Sequence, residues 1–292
     1  QTGVFALIEG KLAGPVVLIL VDFDALPIAE ETGAEYASKY PVVMHACGHD
    51  GHVAIGLGVA RLLHSVRNEW NGTVKLVFQP AEEGDGGAER MIEQGILEDP
   101  KPDYVLGIHV WNEMPVGSVL VVPGPLMAGA DIFSVKITGK GGHGAIPHNA
   151  IDPILAASQV VTALQTIVSR NVPPLEAAVV SVTYFHAGEA FNVIPKSVEL
   201  RGTIRTFLPQ VQKMVADRFA QIVQGVCGAM GCSAEIDIKI TTPAVINDEM
   251  LASRISKVVD ISVPGATLIS NFRTMGSEDF AFMMQNIPGC YL

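Results

Sequence analysis

The sequence predicts an α/β protein: a mainly parallel sheet with flanking helices, which carries an inserted ferredoxin-like α+β domain of order βαββαβ. Three observations support this fold class. Apolar strands alternate with helical segments in the first third of the chain, which favours a parallel sheet. From about residue 131 the order becomes strand, helix, two strands, helix and strand, typical of a ferredoxin-like unit. The chain then returns to the first pattern, so we expect the smaller domain to be inserted into the larger one.

The first third contains three apolar strands and one helix. Val16–Val21 and Thr73–Phe78 have the length and composition of buried strands, and Tyr104–Val110 is predicted as a third. A helix is predicted at Val53–Val66, where four residues recur at helical spacing: Val53, Leu57, Ala60 and His64. Ligands of parallel sheets gather beyond the carboxyl ends of the strands. The residues that follow these strands are therefore the first candidates for a site.

The middle of the chain predicts the inserted domain. After a strand at Asp131–Thr138, a helix begins at Asp152-Pro153, an N-cap acid before a proline in the first helical position. The remaining elements of this domain are strands Ala178–Phe185, Ser197–Phe207 and Ala234–Ile240, and helix Pro209–Val226. The first pattern returns with a helix at Asp248–Val259 and another opened by Gly276–Phe280. We therefore predict a discontinuous larger domain, residues 1–127 and 241–292, and an inserted domain, residues 128–240.

The composition predicts a chain with a substantial core and an acidic surface. Hydrophobic residues make up 49% of the chain and charged residues 17%, which argues against disorder. Nineteen basic and thirty acidic residues give a formal charge of −11, which disfavours nucleic acid and anionic membrane surfaces as partners. No apolar run approaches the roughly 20 residues that span a bilayer. Four cysteines do not suggest a disulfide scaffold, so we expect a reducing, cytoplasmic location.

Cys47 and His49 stand two residues apart, beside two glycines. In an extended loop, side chains at i and i+2 point the same way, so both could reach one metal ion. Thiolate and imidazole suit zinc and similar ions. A buried cysteine beside a capping histidine would give the same pattern, so this pair alone does not establish a site.

Carboxylates and a further histidine follow the neighbouring strands. Glu82 and Glu83 are adjacent and leave the second strand in opposite directions, so one could bind metal while the other serves as base for a metal-bound water. His109 ends the third strand. Asp24 follows the first strand and fits a residue that orients a metal-bound histidine. Taken singly, a solvated turn or a core histidine would explain each of these. Their arrival at one sheet edge predicts a metal site.

Four segments spread over nearly the whole chain carry a resemblance to known proteins: Val21–Ile28, Met44–Asp50, Gln79–Gly84 and Gly276–Phe280. In this order they resemble the amidohydrolase branch of the aminoacylase and carboxypeptidase-type dinuclear metallopeptidases. Hippurate hydrolases, N-acetyl-amino-acid deacetylases and plant indole-acetyl-amino-acid hydrolases belong to this branch. The resemblance implies hydrolysis of the amide bond of N-acyl amino acids, with acetyl or aromatic acyl groups, by a metal-activated water. It also implies two divalent ions, which could be zinc, manganese, cobalt or nickel.

The resemblance assigns roles to the residues at the sheet edge. Cys47 would bridge the two ions. The further ligands would be His49, Glu83 and His109. Glu82 would be the general acid and base. The larger domain would thus be the metal-binding catalytic domain.

The resemblance also assigns roles within the inserted domain, as a lid and as the contact of a homodimer. His143 would stabilise the tetrahedral oxyanion, in many members at the active site of a partner subunit. Asn192 and Arg205 would contact the substrate. Arginine suits a carboxylate because its planar fork donates two parallel hydrogen bonds.

The sequence departs from the family in one respect. The family carries one more metal-binding histidine after the segment matching Gly276–Phe280, and none of the eight histidines here lies beyond His186. We therefore expect the sequence to be a piece of a longer protein. As given, the sequence would leave one metal site without a ligand, and that site would bind metal more weakly. Two alternatives stay open: a metallo-carboxypeptidase or dipeptidase on the same fold, and a non-catalytic metal-binding relative. His52 and His64 are expected to cap or pack their helix.

Overall fold

The computed structural model describes residues 3–84 and 86–292, which form two compact units. The first unit contains the described residues up to Leu126 together with Val245–Arg273 and Glu278–Leu292. The second unit contains Met127–Ala244 and Thr274–Ser277. The last segment belongs to the second unit because Thr274 forms a parallel bridge with Met127. The predicted division assigned that segment to the larger domain.

The described residues contain fifteen strands and five α-helices. The strands are β1 (Val4–Glu9), β2 (Val16–Asp22), β3 (Thr73–Gln79), β4 (Tyr104–Gly107), β5 (Ser118–Leu120), β6 (Gly124–Met127), β7 (Gly129–Thr138), β8 (Gly142–His143), β9 (Ala178–Ala187), β10 (Val193–Ile194), β11 (Ser197–Thr206), β12 (Ser233–Thr242), β13 (Val245–Asn247), β14 (Thr267–Ile269) and β15 (Gly289–Tyr291). The helices are α1 (His49–Ser65), α2 (Gly87–Glu93), α3 (Pro153–Thr166), α4 (Pro209–Ala229) and α5 (Glu249–Ser262). Within this part of the chain, no helix combines the length and apolarity needed to cross a membrane.

The main sheet of the first unit has the strand order β1-β3-β2-β4-β15. All its pairs are parallel except β1 with β3, so the predicted α/β class is confirmed. Leu18 and Leu20 of β2 are fully buried. Lys75 of β3 is equally buried, and its ammonium donates to the carbonyls of Ile96 and Glu98, which compensate the charge. The parallel strands β2, β3 and β4 end at the same edge, and this edge positions the site.

Helix α1 begins earlier than predicted and buries a different face. It starts at His49 rather than at Val53. Leu57, on the predicted apolar face, is 54% exposed, so that prediction is wrong. A Cβ on Gly56 would lie 2.9 Å from Val21 Cγ2, which shows that the helix approaches β2 where only a glycine fits. The buried residues of the helix are His49, His52 and Gly56.

The second unit follows the chain order β7, α3, β9, β11, α4 and β12, and its antiparallel sheet has the order β12-β7-β11-β9. Helix α3 begins where predicted, because the Asp152 carboxylate accepts the N–H of Ile154 at 2.8 Å. The core lies between this sheet and the two helices. Its fully buried members include Val135, Val160, Leu164, Phe219 and Val223.

Two predicted elements, a helix near the end of the sequence and the third strand, differ from the structure. The helix predicted to open at Gly276–Phe280 is only a 3₁₀ turn, Asp279–Phe282, so this prediction is wrong. The Glu278 carboxylate accepts the Phe280 N–H at 3.0 Å and caps the turn, after which the chain leads into β15. Strand β4 ends at Gly107, two residues before His109. His109 therefore lies in the loop beyond the strand, where its ring nitrogens contact the Val110 carbonyl and Cys47 Sγ.

Candidate functional site

The structure brings the five predicted site residues together at the carboxyl edge of the main sheet. The Cys47 thiol and the rings of His49 and His109 present possible ligand atoms within 4.8 Å of one another. The carboxylates of Glu82 and Glu83 form a second such group with His49. His49 is thus common to both groups. Their individual roles remain predictions, and their proximity is an observed feature of the fold.

A left-handed turn sets the geometry of the Cys-Gly-His segment. We expected an extended loop, but Gly48 has φ 84° and His49 is already the first residue of α1. A Cβ on Gly48 would lie 2.6 Å from Val110 Cγ2, so both backbone conformation and space require glycine. In this turn Cys47 Sγ lies 3.4 Å from His109 Nε2.

The turn after β3 places the two glutamates. Ala81 has φ 60°, a left-handed conformation that a non-glycine residue adopts only when its surroundings enforce it. The Glu83 N–H donates to Asp24 Oδ2 at 3.0 Å, which ties this turn to the loop after β2. The other carboxylate oxygen of Asp24 lies 3.5 Å from His49 Nδ1. Asp24 therefore lies where the sequence predicted, beside a candidate metal-binding histidine.

His49 is suited to hold a cation. Both its ring nitrogens are buried without a hydrogen-bond partner, as is Asp24 Oδ1. Burial lowers the pKa of His49, but the neighbouring Asp24 carboxylate and the Cys47 sulfur raise it to about 11. The surroundings therefore favour positive charge at this point, and the thiol, imidazole and carboxylate donors are those that divalent zinc-like ions accept. The residues present fit a divalent metal ion.

A second cluster of acids lies behind Glu82. Its carboxylate lies within 4.8 Å of those of Glu278 and Asp279. Burial, with the negative charges of Asp279 and Glu83, raises the pKa of Glu82 to about 8. Burial also raises the pKa of Glu278 well above its usual value, as does the charge of Glu82. The Tyr291 hydroxyl lies 2.5 Å from Glu278 Oε2. A carboxyl that holds its proton near neutral pH is a suitable proton carrier.

Sequence reasoning gave no role to several of these residues. Glu278 and Asp279 belonged to a motif that carried the resemblance, but nothing in their spacing indicated contact with Glu82. Asp22 and His52 are almost fully buried beside His49, whereas His52 was expected only to cap or pack. The one available signal was that His52 follows His49 by three residues, which puts both on one helix face.

The second unit holds the other predicted residues. Strand β8 pairs with β10, so His143 lies opposite Val193, and the Gly144 N–H donates to the Asn192 carbonyl at 2.8 Å. The Ala145 N–H donates to His143 Nδ1 at 3.0 Å, so a neutral His143 carries its proton on Nε2. Both His143 and Asn192 are exposed. His143 can therefore offer an N–H to a ligand.

Arg205 lies on β11, apart from this ribbon. Its guanidinium donates to Ser277 Oγ at 2.8 Å. Burial lowers its pKa, while the Asp131 carboxylate opposes that effect. A guanidinium remains charged under these conditions and has further N–H groups beyond the one bound to Ser277. Its predicted contact with a substrate carboxylate is compatible with these bonds.

The sequence and the fold are similar to those of known amidohydrolases and metal-binding peptidases. Residues 18–292 match the profile of the peptidase family M20/M25/M40. An N-acetyl-L-cysteine deacetylase of Bacillus subtilis is 42% identical over 291 residues, which cover 100% of this chain and 69% of the relative. An N-acyl-L-amino acid amidohydrolase of Geobacillus stearothermophilus is 47% identical over 248 residues, 85% of this chain and 66% of the relative. The solved structure of a dinuclear metal-binding peptidase of the M20 family from Bacillus subtilis has a TM-score of 0.87 at 38% identity, over 99% of this chain and 74% of that one.

Proposed function

The chain belongs to the peptidase family M20/M25/M40, and we propose that it is a metal-dependent amidohydrolase that cleaves the amide bond of N-acyl amino acids. The observation that carries this proposal is the convergence of a thiol, a second imidazole and two carboxylates on His49, whose ring nitrogens lack partners. The deacetylase and the amidohydrolase among the relatives support the amide bond as the target.

Two divalent ions are the proposed cofactor. The residues that would hold them are Cys47, His49, Glu83 and His109. When bound, such ions polarise the amide carbonyl and make a water molecule more acidic. The family relative described as dinuclear supports the number of ions. The donor set accepts zinc, manganese, cobalt or nickel, and these four are the metals that we propose to test.

Glu82 is the proposed proton carrier. Its carboxylate takes a proton from the attacking water and delivers it to the leaving amine. Without metal, burial and the neighbouring negative charges raise its pKa to about 8. Divalent ions bound beside it would lower that pKa and favour the carboxylate form that accepts the proton. Asp24 does not compete for that proton. Burial raises the pKa of Asp24, but contacts with His49 and with backbone N–H groups lower it to about 2.

The second unit is proposed to be a ferredoxin-like lid and dimerisation domain. His143 would donate its Nε2–H to the tetrahedral oxyanion. Asn192 and Arg205 would bind the substrate, with Arg205 on the amino-acid carboxylate. The four free thiols are compatible with the proposed cytoplasmic location, and a homodimer through the second unit remains part of the proposal.

A substrate panel tests this function. The purified protein is depleted of metal, reloaded separately with each of the four ions, analysed for metal content and assayed on N-acetyl amino acids, N-benzoylglycine and dipeptides. We expect two ions per chain, the second bound more weakly because one site is expected to lack a ligand, with release of the free amino acid from the N-acyl substrates and loss of turnover after chelation. Cleavage of dipeptides alone would favour the carboxypeptidase alternative. Metal uptake without any hydrolysis would overturn the proposal in favour of a binding protein.

A further inference from the structure

His52 lies directly behind the candidate metal ligands. It is fully buried, and its ring stacks on that of His49 with centroids 5.3 Å apart. It also contacts the ring of His109, at 4.6 Å between centroids. A buried histidine destabilises the folded protein unless both ring nitrogens have hydrogen-bond partners, because an unpaired buried polar group costs about 1–3 kcal/mol of stability. The partners of these two nitrogens therefore define what the residue does.

Both ring nitrogens of His52 are engaged by the protein itself. The Val110 N–H donates to Nε2 at 2.9 Å. A backbone N–H can only donate, so Nε2 must accept and the ring proton of a neutral His52 must be on Nδ1. Nδ1 lies 2.5 Å from Asp22 Oδ1, and Asp22 is itself buried at the end of β2. The carboxylate thus fixes the tautomer, as it does for histidines near metal ions.

The Val110 N–H is placed so that its orientation affects His109. It belongs to the peptide that joins His109 to Val110. The carbonyl of Val110 in turn accepts from His109 Nδ1 at 2.5 Å. This leaves His109 Nε2 as the candidate ligand atom, and its one partner is another candidate ligand, Cys47 Sγ, at 3.4 Å. A Cβ on Gly48 would lie 2.6 Å from Val110 Cγ2. The Val110 side chain therefore also packs against the turn that carries Cys47.

We infer that His52, oriented by Asp22, is a positioning residue that sets the direction of His109 Nε2 by holding the peptide between His109 and Val110. The inference rests on the proposed metal site. It excludes His52 as a ligand, although its ring atoms lie within 4.8 Å of Asp22 and His49, because both nitrogens are already bonded.

Two amide variants separate positioning from packing. Glutamine at position 52 can place its amide oxygen near the position of Nε2 and accept the Val110 N–H. Asparagine is one carbon shorter and can satisfy only Asp22. Both are neutral and polar, so they differ chiefly in the bond to Val110. His64→Asn, at an exposed position of the same helix, is the control for asparagine substitution in α1.

Cobalt ion is the probe, because its absorption reports a bound thiolate and its affinity can be measured against a competing chelator. We expect His52→Asn to weaken cobalt binding about 10–100-fold, the range found for residues that orient metal-bound histidines. His52→Gln and His64→Asn should bind like wild type, and all variants should keep the same number of ions. Urea unfolding of the metal-free proteins should show that the two position-52 variants have similar stability.

Three results would overturn the inference. Equal cobalt affinity for His52→Asn and wild type would remove the positioning role. Loss of one whole ion in both position-52 variants would make His52 a ligand. Loss of affinity in proportion to folding stability in both would leave only packing. If His52→Asn does not fold, NMR of the ring nitrogens in wild-type protein decides, since a proton on Nε2 contradicts the inference. A different result would contradict only the proposed function. In that case His52→Asn weakens cobalt binding as expected, but the wild-type protein hydrolyses no N-acyl amino acid.

Discussion

Replacement of Glu82 by glutamine should stabilise the metal-free protein at alkaline pH while it abolishes turnover. The free glutamate side chain titrates at 4.5, and burial with neighbouring charges raises the pKa of Glu82 to about 8. The folded state therefore binds this proton more tightly than the unfolded state. The resulting stability is fully present below about pH 4.5 and is lost as the pH rises through about 8. Glutamine has the same shape and no charge to bury.

The size of the effect follows from the pKa difference. Each pH unit between the two pKa values is worth about 1.4 kcal/mol. The whole interval therefore sets an upper limit of about 5 kcal/mol. Because Glu278 and Asp279 lie close enough to share the proton, we expect a smaller change, about 2–3 kcal/mol in the free energy of unfolding. At about pH 5 wild type and variant should be nearly equal, and at about pH 9 the variant should be the more stable.

Urea unfolding in the presence of a chelator, followed from about pH 5 to about pH 9, measures this difference. Glu93→Gln is the matched control, because it removes an exposed carboxylate from α2 with the same change of charge. Turnover of metal-loaded protein is measured in parallel. If Glu82→Gln and wild type lose stability in parallel as the pH rises, the carboxyl at position 82 does not hold its proton in the folded state. Retained turnover with bound metal would remove Glu82 from the role of base.

Two other substitutions test separate parts of the structure. If Arg205 binds the substrate carboxylate, Arg205→Lys should raise KM about tenfold or more at nearly unchanged kcat, because lysine cannot form the paired bonds. Arg201→Lys, an exposed position on the same strand, should leave KM unchanged. Asp152→Ala should lower the free energy of unfolding by about 1 kcal/mol through loss of the α3 cap, measured by urea unfolding, with metal affinity unaffected.

The sequence predicted the site better than the local geometry around it. Parallel strands that end at one edge bring their following residues together whatever the loops do, so Asp24, Glu82 and His109 could be grouped from the sequence. Cys47 lies far from the end of β2 and joined this group only through its pairing with His49. The α1 boundary could not be predicted, because it depends on Gly48 taking a left-handed φ against Val110. That contact joins segments 62 residues apart, and nothing in the spacing of either segment reveals it.

The buried face of α1 shows a second limit. Periodicity favoured the apolar residues of the helix, whereas the fold buries His49, His52 and Gly56. Polar burial of this kind is favourable only when partners from other strands satisfy it, as Asp22 and the Val110 peptide do for His52. The periodicity of apolar residues in one sequence contains no information about hydrogen-bond partners that other segments supply in the fold.

The acids of the site divide into two kinds by environment. Asp24 contacts His49 and the Glu83 N–H and has its pKa lowered to about 2, so it stays ionised. Glu82 and Asp279 belong to the acid cluster, and although the Glu82 carboxylate also lies within 4.8 Å of His49, burial raises the two pKa values to about 8 and about 6. Carboxyl groups whose surroundings push their pKa values apart are suited to different tasks. Here the ionised acid can fix a histidine and attract a cation, while the acid that keeps its proton can exchange it during the reaction. That division explains why adjacent Glu82 and Glu83 need not act alike: one joins the proton-holding cluster, and the other is tied through its backbone to Asp24.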